Sequence, residues 1–199
     1  MSEIFINAAS KAMVADLKTA RLGPRFGRLD LASQLSLLAV EMLGVDFEKL
    51  PRERIAVCLA ARAGSLSTDV EFWKGRDLVG GPSPTLFAYT LPSAAMGEIA
   101  IRHKLMGPNL CFTGDDESLI GEALDLIQRA EAEACVCVYC NSVSPAAGEM
   151  IQETPAAFAL AIFLSRTGAG MLCKNEAGRL ESLVEEFLRL KAAGQITSR

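Results

Sequence analysis

The residues best placed to do chemistry lie in one stretch, "GPNLCFTGDDESLIGEAL", at residues 107–124. An apolar run, a short polar turn and an amphipathic stretch follow one another there, which predicts a strand, a sharp turn and a helix. Many α/β enzymes carry a nucleophilic Ser or Cys in such a turn. This turn instead carries Thr113, Gly114, Asp115 and Asp116. Paired carboxylates can act as acid and base when burial separates their pKa values, but adjacent turn residues are usually solvated.

The cysteines are the second candidates for chemistry: Cys58, Cys111, Cys135, Cys137, Cys140 and Cys173. Three of them lie in "ACVCVYCNS", which predicts a buried strand with Cys135 and Cys137 on one face and Cys140 on the other. Because no second Cys or His cluster could complete four zinc ligands, we expect no metal and no cofactor. Free cysteines act as small apolar core residues in a reducing compartment.

Composition and charge narrow the function classes further. The 199 residues are 50% hydrophobic and carry a net charge of −4, which fits one domain over 1–199 with a sizeable core. The apolar excess indicates either an alanine-rich core or a subunit interface. Basic residues are scattered and no polybasic tract is present, so we expect neither nucleic acid nor membrane binding. The longest apolar run, 156–164, is too short to cross a bilayer, and no leader pattern is visible, so we expect a cytoplasmic protein.

Strand and helix patterns alternate along the chain. Strands are predicted at "EIFINAAS", "IAVCLAA", "NLCF", "ACVCVYCNS" and "AAFALAIFLS". Helices are predicted at 28–43, where Asp30 would cap the start, in "SLSTDVEFWKG", in a segment ended by Gly107, at 117–133 and at 175–195. "LVGGPSPTLFAYTLPS" is a Gly- and Pro-rich loop of defined shape. This alternation predicts an α/β layered domain with a mixed sheet covered by helices.

The stretch "SPTLFAYTLPSAAMGEIAIRHKLMGPN" (83–109) resembles the N-terminal half of β-ketoacyl synthases, which have the thiolase fold. Four further stretches fall in the same order: "GRLDLASQLSLLAVEML", "ERIAVCLAARAGSLSTDVEF", "IGEALDLIQRAEAEACVCVY" and "TPAAFALAIFLS". The resemblance covers residues 28–165 and implies a thiolase-like half-domain. A helix at 175–195 would follow it.

The departures from this family bear directly on catalysis. An active ketosynthase continues from its G-P-N through a turn whose Cys is acylated, at a helix N-terminus that steadies the thiolate. Here the same count from "GPN" leads to Asp116, and the segment is a few residues shorter. Aspartate is a good helix cap and a poor acyl acceptor, so we interpret Asp116 as a cap of the following helix. Cys111 lies earlier, inside the predicted strand, and should be buried.

The catalytic histidines and lysine of the family come from its second half, which this chain lacks. Its single histidine, His103, falls in a segment that matches a non-catalytic helix. The resemblance therefore assigns no catalytic residue to this chain. In a lone half-domain one sheet face would be bare, so either the helix at 176–194 or another subunit must cover it.

The resemblance and its departures imply a non-catalytic subunit, an accessory or chain-length-factor-like partner in fatty acid, polyketide or aryl-polyene-type biosynthesis. Its partner would be a second copy or a ketosynthase, with acyl carrier protein as a further partner. One alternative is an acyl or acyl-carrier-protein binding module without chemistry. Another is a divergent acyltransferase that uses Cys111, Cys140 or the Asp115–Asp116 pair.

The expected functional surface combines the loop at 80–95 with residues 107–118. Outside the turn, its candidate residues are Pro84, Phe87, Tyr89, Leu91, Pro92, Met96 and Asn109.

Overall fold

The fold is built on one mixed sheet of six strands. A computed structural model of the chain describes residues 3–173 and 179–196. The strands are β1 (Phe5–Met13), β2 (Ile55–Ala61), β3 (Asn109–Thr113), β4 (Ala134–Val143), β5 (Ala156–Ser165) and β6 (Met171–Leu172). Their order is β3-β2-β4-β5-β1-β6. β2 is parallel to β3 and β4, whereas β5 is antiparallel to β4 and β1. The predicted α/β class and mixed sheet are confirmed.

Helices occupy the connections between strands. They are α1 (Val14–Leu17), α2 (Leu31–Met42), α3 (Leu66–Gly75), α4 (Pro84–Phe87), α5 (Ala94–His103), α6 (Leu119–Gln128), α7 (Pro145–Ile151) and α8 (Leu180–Ala192). Asp30 caps α2 as predicted, because its carboxylate accepts a hydrogen bond from the Ser33 N–H at 3.0 Å. Within 3–173 and 179–196, no helix is long and apolar enough to cross a membrane.

Several helix boundaries differ from the prediction. α2 spans Leu31–Met42 rather than 28–43, and the predicted Gly- and Pro-rich loop contains the short helix α4. α5 ends at His103, because Lys104 adopts a left-handed conformation with φ of 55°, and Gly107 instead packs its backbone against the Ile55 carbonyl, where a Cβ would clash. α6 spans ten residues rather than 117–133, and Ala130 has a φ of 59° just beyond its end. α8 is shorter than 175–195, and residues 174–178 lie outside the described part.

Each face of the sheet has its own core. On β2, Val57 and Leu59 face the cluster that includes α2 and α5, while Ala56, Cys58 and Ala60 face the cluster that includes α6 and α8. Both faces of this strand are therefore covered, which explains its uninterrupted apolar sequence.

Helix α8 covers part of the second face. Its residues Leu180, Val184 and Phe187 are fully buried in the same cluster as Ile120 and Ile127 of α6. The sequence left open whether a helix of this chain or another subunit covers this face. The structure shows α8 packed there.

Candidate functional site

The predicted turn, 113–116, lies where the carboxyl ends of three parallel strands meet. Gly114 follows β3 with a φ of 116°, and its N–H donates to the Ala61 carbonyl at 2.9 Å. The Arg62 N–H donates to the Cys140 carbonyl at 2.9 Å. These bonds join the ends of β2, β3 and β4, and the sharp turn itself requires the positive φ that glycine adopts readily. We call residues 113–116 the elbow.

Asp115 is engaged in an ion-pair network. Its carboxylate pairs with the Arg62 guanidinium, which also binds Glu153 through Nε at 3.0 Å and Nη2 at 2.9 Å. Hydrogen bonds to Glu153 and then to Asp115 raise the pKa of Arg62. One guanidinium thus bridges two carboxylates across the carboxyl ends of the strands.

Asp116 is 4% exposed, and its carboxylate points to another helix than the one predicted. Its Oδ2 accepts a hydrogen bond of 2.5 Å from the N–H of Leu180, the first residue of α8. The prediction that it caps the next helix is therefore wrong. Ser118 precedes α6 without a side-chain cap, and Leu119 bonds only the Asp116 main-chain oxygen, at 3.1 Å. The reason is the fold around α8, which the local sequence does not contain.

The two thiols considered as nucleophiles are poorly suited to that role. Cys111 is half-buried rather than buried, because β3 is an edge strand, and burial raises its pKa. Cys140 is 2% exposed, and burial raises its pKa to about 12. A thiol with a raised pKa stays protonated and reacts slowly at neutral pH.

The histidine lies at the far end of α5. His103 Nε2 is 3.7 Å from Glu41 Oε1, and its ring contacts Phe47 with centroids 4.8 Å apart. Burial lowers its pKa, although Glu41 partly counters that effect. These contacts place His103 in the packing of α5 against α2 and not beside the elbow.

Three other cysteines form a buried row beneath α6. Cys135 Sγ lies 3.5 Å from Cys58 Sγ and 3.7 Å from Cys137 Sγ. Cys135 and Cys137 face one core and Cys140 the other, as predicted. Among the described residues, no group of three or more His, Cys, Asp and Glu side chains could hold a metal ion.

The candidate loop residues divide into an inward and an outward set. Tyr89 and Met96 pack against the α2 core. Pro92 and Thr113 both flank Gly64, at 3.2 and 3.3 Å from the position of a Cβ there, so the structure brings the loop and the elbow together. The remaining candidates face outward: Pro84 and Phe87 bound α4, Leu91 is exposed, and Asn109 begins β3 at the end away from the elbow.

An apolar groove beside this loop was not foreseen. It has a volume of about 530 Å³, and its lining includes Phe72, Trp73, Phe87 and Met150. Trp73 and Phe87 are each 63% exposed. The sequence signal that could have revealed it is the adjacent Phe72–Trp73 pair in α3, because two neighbours on a helix point in different directions.

Comparisons with known proteins show the fold. No family model matches the chain, and no curated protein matches it. Among solved structures, the ishigamide ketosynthase/chain length factor matches with a TM-score of 0.67 and 18% identity, over 89% of this chain and 64% of that one. A chain of the AntDE:AntF structure, a type II PKS acyl-carrier protein in complex with its ketosynthase, matches with a TM-score of 0.68 and 16% identity, over 83% of this chain and 62% of that one.

A third match is the complex of the ketosynthase ApeO with its chain length factor ApeC from Xenorhabdus doucetiae. Its TM-score is 0.62 at 17% identity, and the match covers 84% of this chain and 80% of that one. The present chain spans less than two thirds of the first two matched chains. At these identities the likeness establishes the fold: it is the thiolase-like fold of ketosynthases and chain length factors, as the sequence resemblance implied.

Proposed function

We propose that this chain is a non-catalytic ketosynthase-like subunit, an accessory or chain-length-factor-like partner of an acyl-condensing enzyme. The observation that carries the proposal is Asp116. It occupies the elbow position where the sequence resemblance locates the acylated cysteine, and its carboxylate is buried against the first N–H of α8. A carboxylate held in this way stabilises a helix N-terminus and offers no nucleophile for a thioester.

The proposed setting is fatty acid, polyketide or aryl-polyene-type biosynthesis. Its support is that the matched structures include ketosynthases described together with a chain length factor or an acyl-carrier protein. In the ApeO–ApeC structure, the match covers 84% of this chain and 80% of the one matched chain, so the two are of similar length. A small ketosynthase-like chain in a larger assembly would therefore have a precedent in architecture.

The open edge of β3 is an argument for a second subunit. That subunit would be another copy of this chain or a ketosynthase. β3 pairs with β2 on one side only, and an unpaired strand edge is a template for pairing with another chain. The N–H groups of Val57 and Gly114 bond the carbonyls of Pro108 and Ala61 across the β2–β3 pair. Because N–H directions alternate along a strand, the Cys111 N–H points away from β2, toward the open edge.

Native mass spectrometry of the protein purified gently from its own host tests the proposal. A complex with a longer ketosynthase-like chain, with or without a carrier-sized protein, is the expected result. A bare homodimer would favour self-association, and a monomer at all concentrations would overturn the subunit proposal.

A pair of variants at Cys111 tests whether the β3 edge is the contact. Cys111→Pro removes the outward N–H and leaves the β2–β3 bonds in place, so we expect it to abolish the complex. The matched control, Cys111→Ala, changes the same side chain but keeps the N–H, and should retain the complex. Equal assembly of the two variants would show that the edge is not used.

Restoring a thiol at the elbow tests the non-catalytic role. We expect Asp116→Cys alone to show no malonyl-thioester condensation, because no histidine lies beside the elbow to assist the reaction. The assay would include an active ketosynthase as a positive control. Condensation by the isolated variant would refute the proposal.

An acyl-binding module without chemistry is the second candidate, because the groove at Trp73 and Phe87 is almost wholly apolar. Saturable binding of a fluorescent fatty acyl probe, reduced by Phe87→Ala, would favour it. A divergent acyltransferase would instead require one thiol that alkylates much faster than the rest. The raised pKa values of Cys111 and Cys140 favour slow alkylation of both.

A further inference from the structure

A cavity of about 420 Å³ lies between the start of α2, the start of α3 and the end of β4. The polar side chains in its lining are Asp30, Ser67, Thr68, Glu71, Ser142 and Ser144. The apolar groove is lined by other α3 residues, among them Val70 and Trp73, so the two sites use different faces of one helix. We call this second site the hydroxyl cavity.

Hydrogen bonds between its walls hold the hydroxyl cavity in shape. Ser67 Oγ donates to the Ser142 carbonyl at 2.9 Å and accepts from the Ser144 N–H at 2.9 Å. Thr68 Oγ1 donates to Asp30 Oδ2 at 2.7 Å. These bonds join α3 to the end of β4 and to the start of α2, so the cavity is already formed in the free chain.

One hydroxyl group deep in the cavity is left without a partner in the part of the chain that the structure describes. Ser142 is 9% exposed. It lies on β4 two residues beyond Cys140, which faces the α2 core, so its side chain faces the same way. The Ser142 carbonyl accepts from Ser67, but its Oγ makes no hydrogen bond to the described residues. Because buried hydroxyl groups are normally hydrogen-bonded, Ser142 Oγ is available to a molecule in the cavity.

The charge in the lining is negative. Asp30 and Glu71 are the ionisable side chains there, and no Lys, Arg or His among the described residues lines the cavity. Glu71 is exposed at the rim and makes no ion pair with the described residues. The N-termini of α2 and α3 add only partial positive charges, so two carboxylates outweigh them and favour a cationic ligand.

The rest of the lining is apolar and favours an organic cation over a metal ion. Leu31, Val143, Pro155 and Ala157 contribute to this wall. Within 3–173 and 179–196, no group of three or more His, Cys, Asp and Glu side chains could hold a metal ion. An alkylammonium ion matches both parts of the lining, since its nitrogen donates three hydrogen bonds and its chain is apolar.

We propose that the hydroxyl cavity binds a small aliphatic amine in its ammonium form. The ammonium group donates to carboxylate and hydroxyl oxygens of the lining, Ser142 Oγ among them, in charge-assisted hydrogen bonds. The alkyl chain lies against Leu31 and Val143. This site is separate from the β3 edge, and it does not depend on the proposed subunit role.

NMR titration of the isotopically labelled protein with three ligands tests this proposal. The ligands are n-butylammonium, n-butanol, which has the same shape without the charge, and ammonium, which has the charge without the chain. We expect n-butylammonium to shift the amide signals of Thr68 and Ser142 in a saturable manner. Its affinity should exceed that of either other ligand by at least about tenfold.

Two variants of the lining sharpen the test. Glu71→Gln and Ser142→Ala should each weaken the binding of n-butylammonium about three- to tenfold. The matched control, Glu186→Gln, removes the same charge from an exposed position on α8 and should change the affinity by less than about twofold. The spectrum of each variant without ligand shows whether it is folded.

Four outcomes would overturn the proposal. They are equal affinity for n-butanol, equal weakening by Glu71→Gln and Glu186→Gln, shifts confined to the apolar groove at Trp73 and Phe87, and no saturable binding. Loss of the subunit complex is measured separately by native mass spectrometry, so failure of the proposed function and failure of amine binding are distinguishable.

Discussion

The elbow and the apolar groove lie near each other, but their side chains differ in contacts and exposure. At the elbow, Asp115 is paired with Arg62 and Asp116 is buried against α8. In the groove, Trp73 and Phe87 leave most of their surface in water. The elbow carboxylates are engaged by contacts within the chain, whereas the groove presents apolar surface outward.

This difference separates contacts that stabilise the chain from a surface that could bind a partner. Carboxylates that are engaged in ion pairs and hydrogen bonds within the chain contribute to the stability of the fold. Exposed aromatic side chains in one groove instead mark binding surfaces. The proposed non-catalytic role therefore predicts that changes at the elbow act on stability and that changes in the groove act on partner binding.

The largest expected effect on stability comes from comparing a buried phenylalanine with an exposed one in the groove. Phe187 of α8 is fully buried, whereas Phe87 is 63% exposed. Phe187→Ala should lower the free energy of unfolding by about 3–5 kcal/mol. Phe87→Ala, the control, should lower it by less than about 1 kcal/mol, because it loses little beyond contact with Phe72. Chemical denaturation measures both, and equal losses would contradict the contrast.

Removal of the elbow carboxylate should have the next largest effect. Asp116→Ala leaves the Leu180 N–H without its acceptor, and we expect a loss of about 1–2 kcal/mol in the free energy of unfolding. Asp116→Asn keeps an acceptor oxygen and should lose less. Hydrogen exchange should show faster opening of α8 in the alanine variant. Unchanged protection of α8 would mean that this bond does not hold the helix.

A smaller effect concerns how the free energy of unfolding depends on pH through the thiol of Cys140 in β4. Burial raises the pKa of Cys140 to about 12, so the folded state keeps its proton where the unfolded thiol, with a pKa of about 8.5, loses it. The protonated thiol therefore contributes its full stabilisation below a pH of about 8.5. This contribution is lost as the pH rises toward the folded-state pKa. Between pH 8.5 and 9.5 the loss should be about 1 kcal/mol. Cys140→Ala should reduce the pH dependence by that amount, whereas a Cys111→Ala control should reduce it less.

The sequence predicted the elements that depend on periodicity. The buried strands β2, β4 and β5 were found because continuous apolar runs between turn residues indicate strands covered on both faces. Asp30 was identified as a cap because it immediately precedes the apolar helical pattern.

The role of Asp116 could not be predicted in this way. Its hydrogen-bond donor, Leu180, lies 64 residues further along the chain, and no local pattern links them. The exposure of Cys111 was also misjudged, because strand order, and hence which strand is at the edge, is a property of the whole sheet.

The variant with the smallest expected effect on stability is in the groove, and it also tests whether the groove binds a partner. Trp73→Ala should change the free energy of unfolding by less than about 1 kcal/mol, since the side chain is largely exposed and its cation–π pair with Arg76 is exposed as well. If the groove is an interface, the same variant should nevertheless weaken the native complex at least tenfold, as loss of a central tryptophan usually does. Lys49→Gln, at a distant exposed site, serves as the control. A variant that destabilises the isolated chain by 2 kcal/mol or more would show that Trp73 supports the fold rather than a partner.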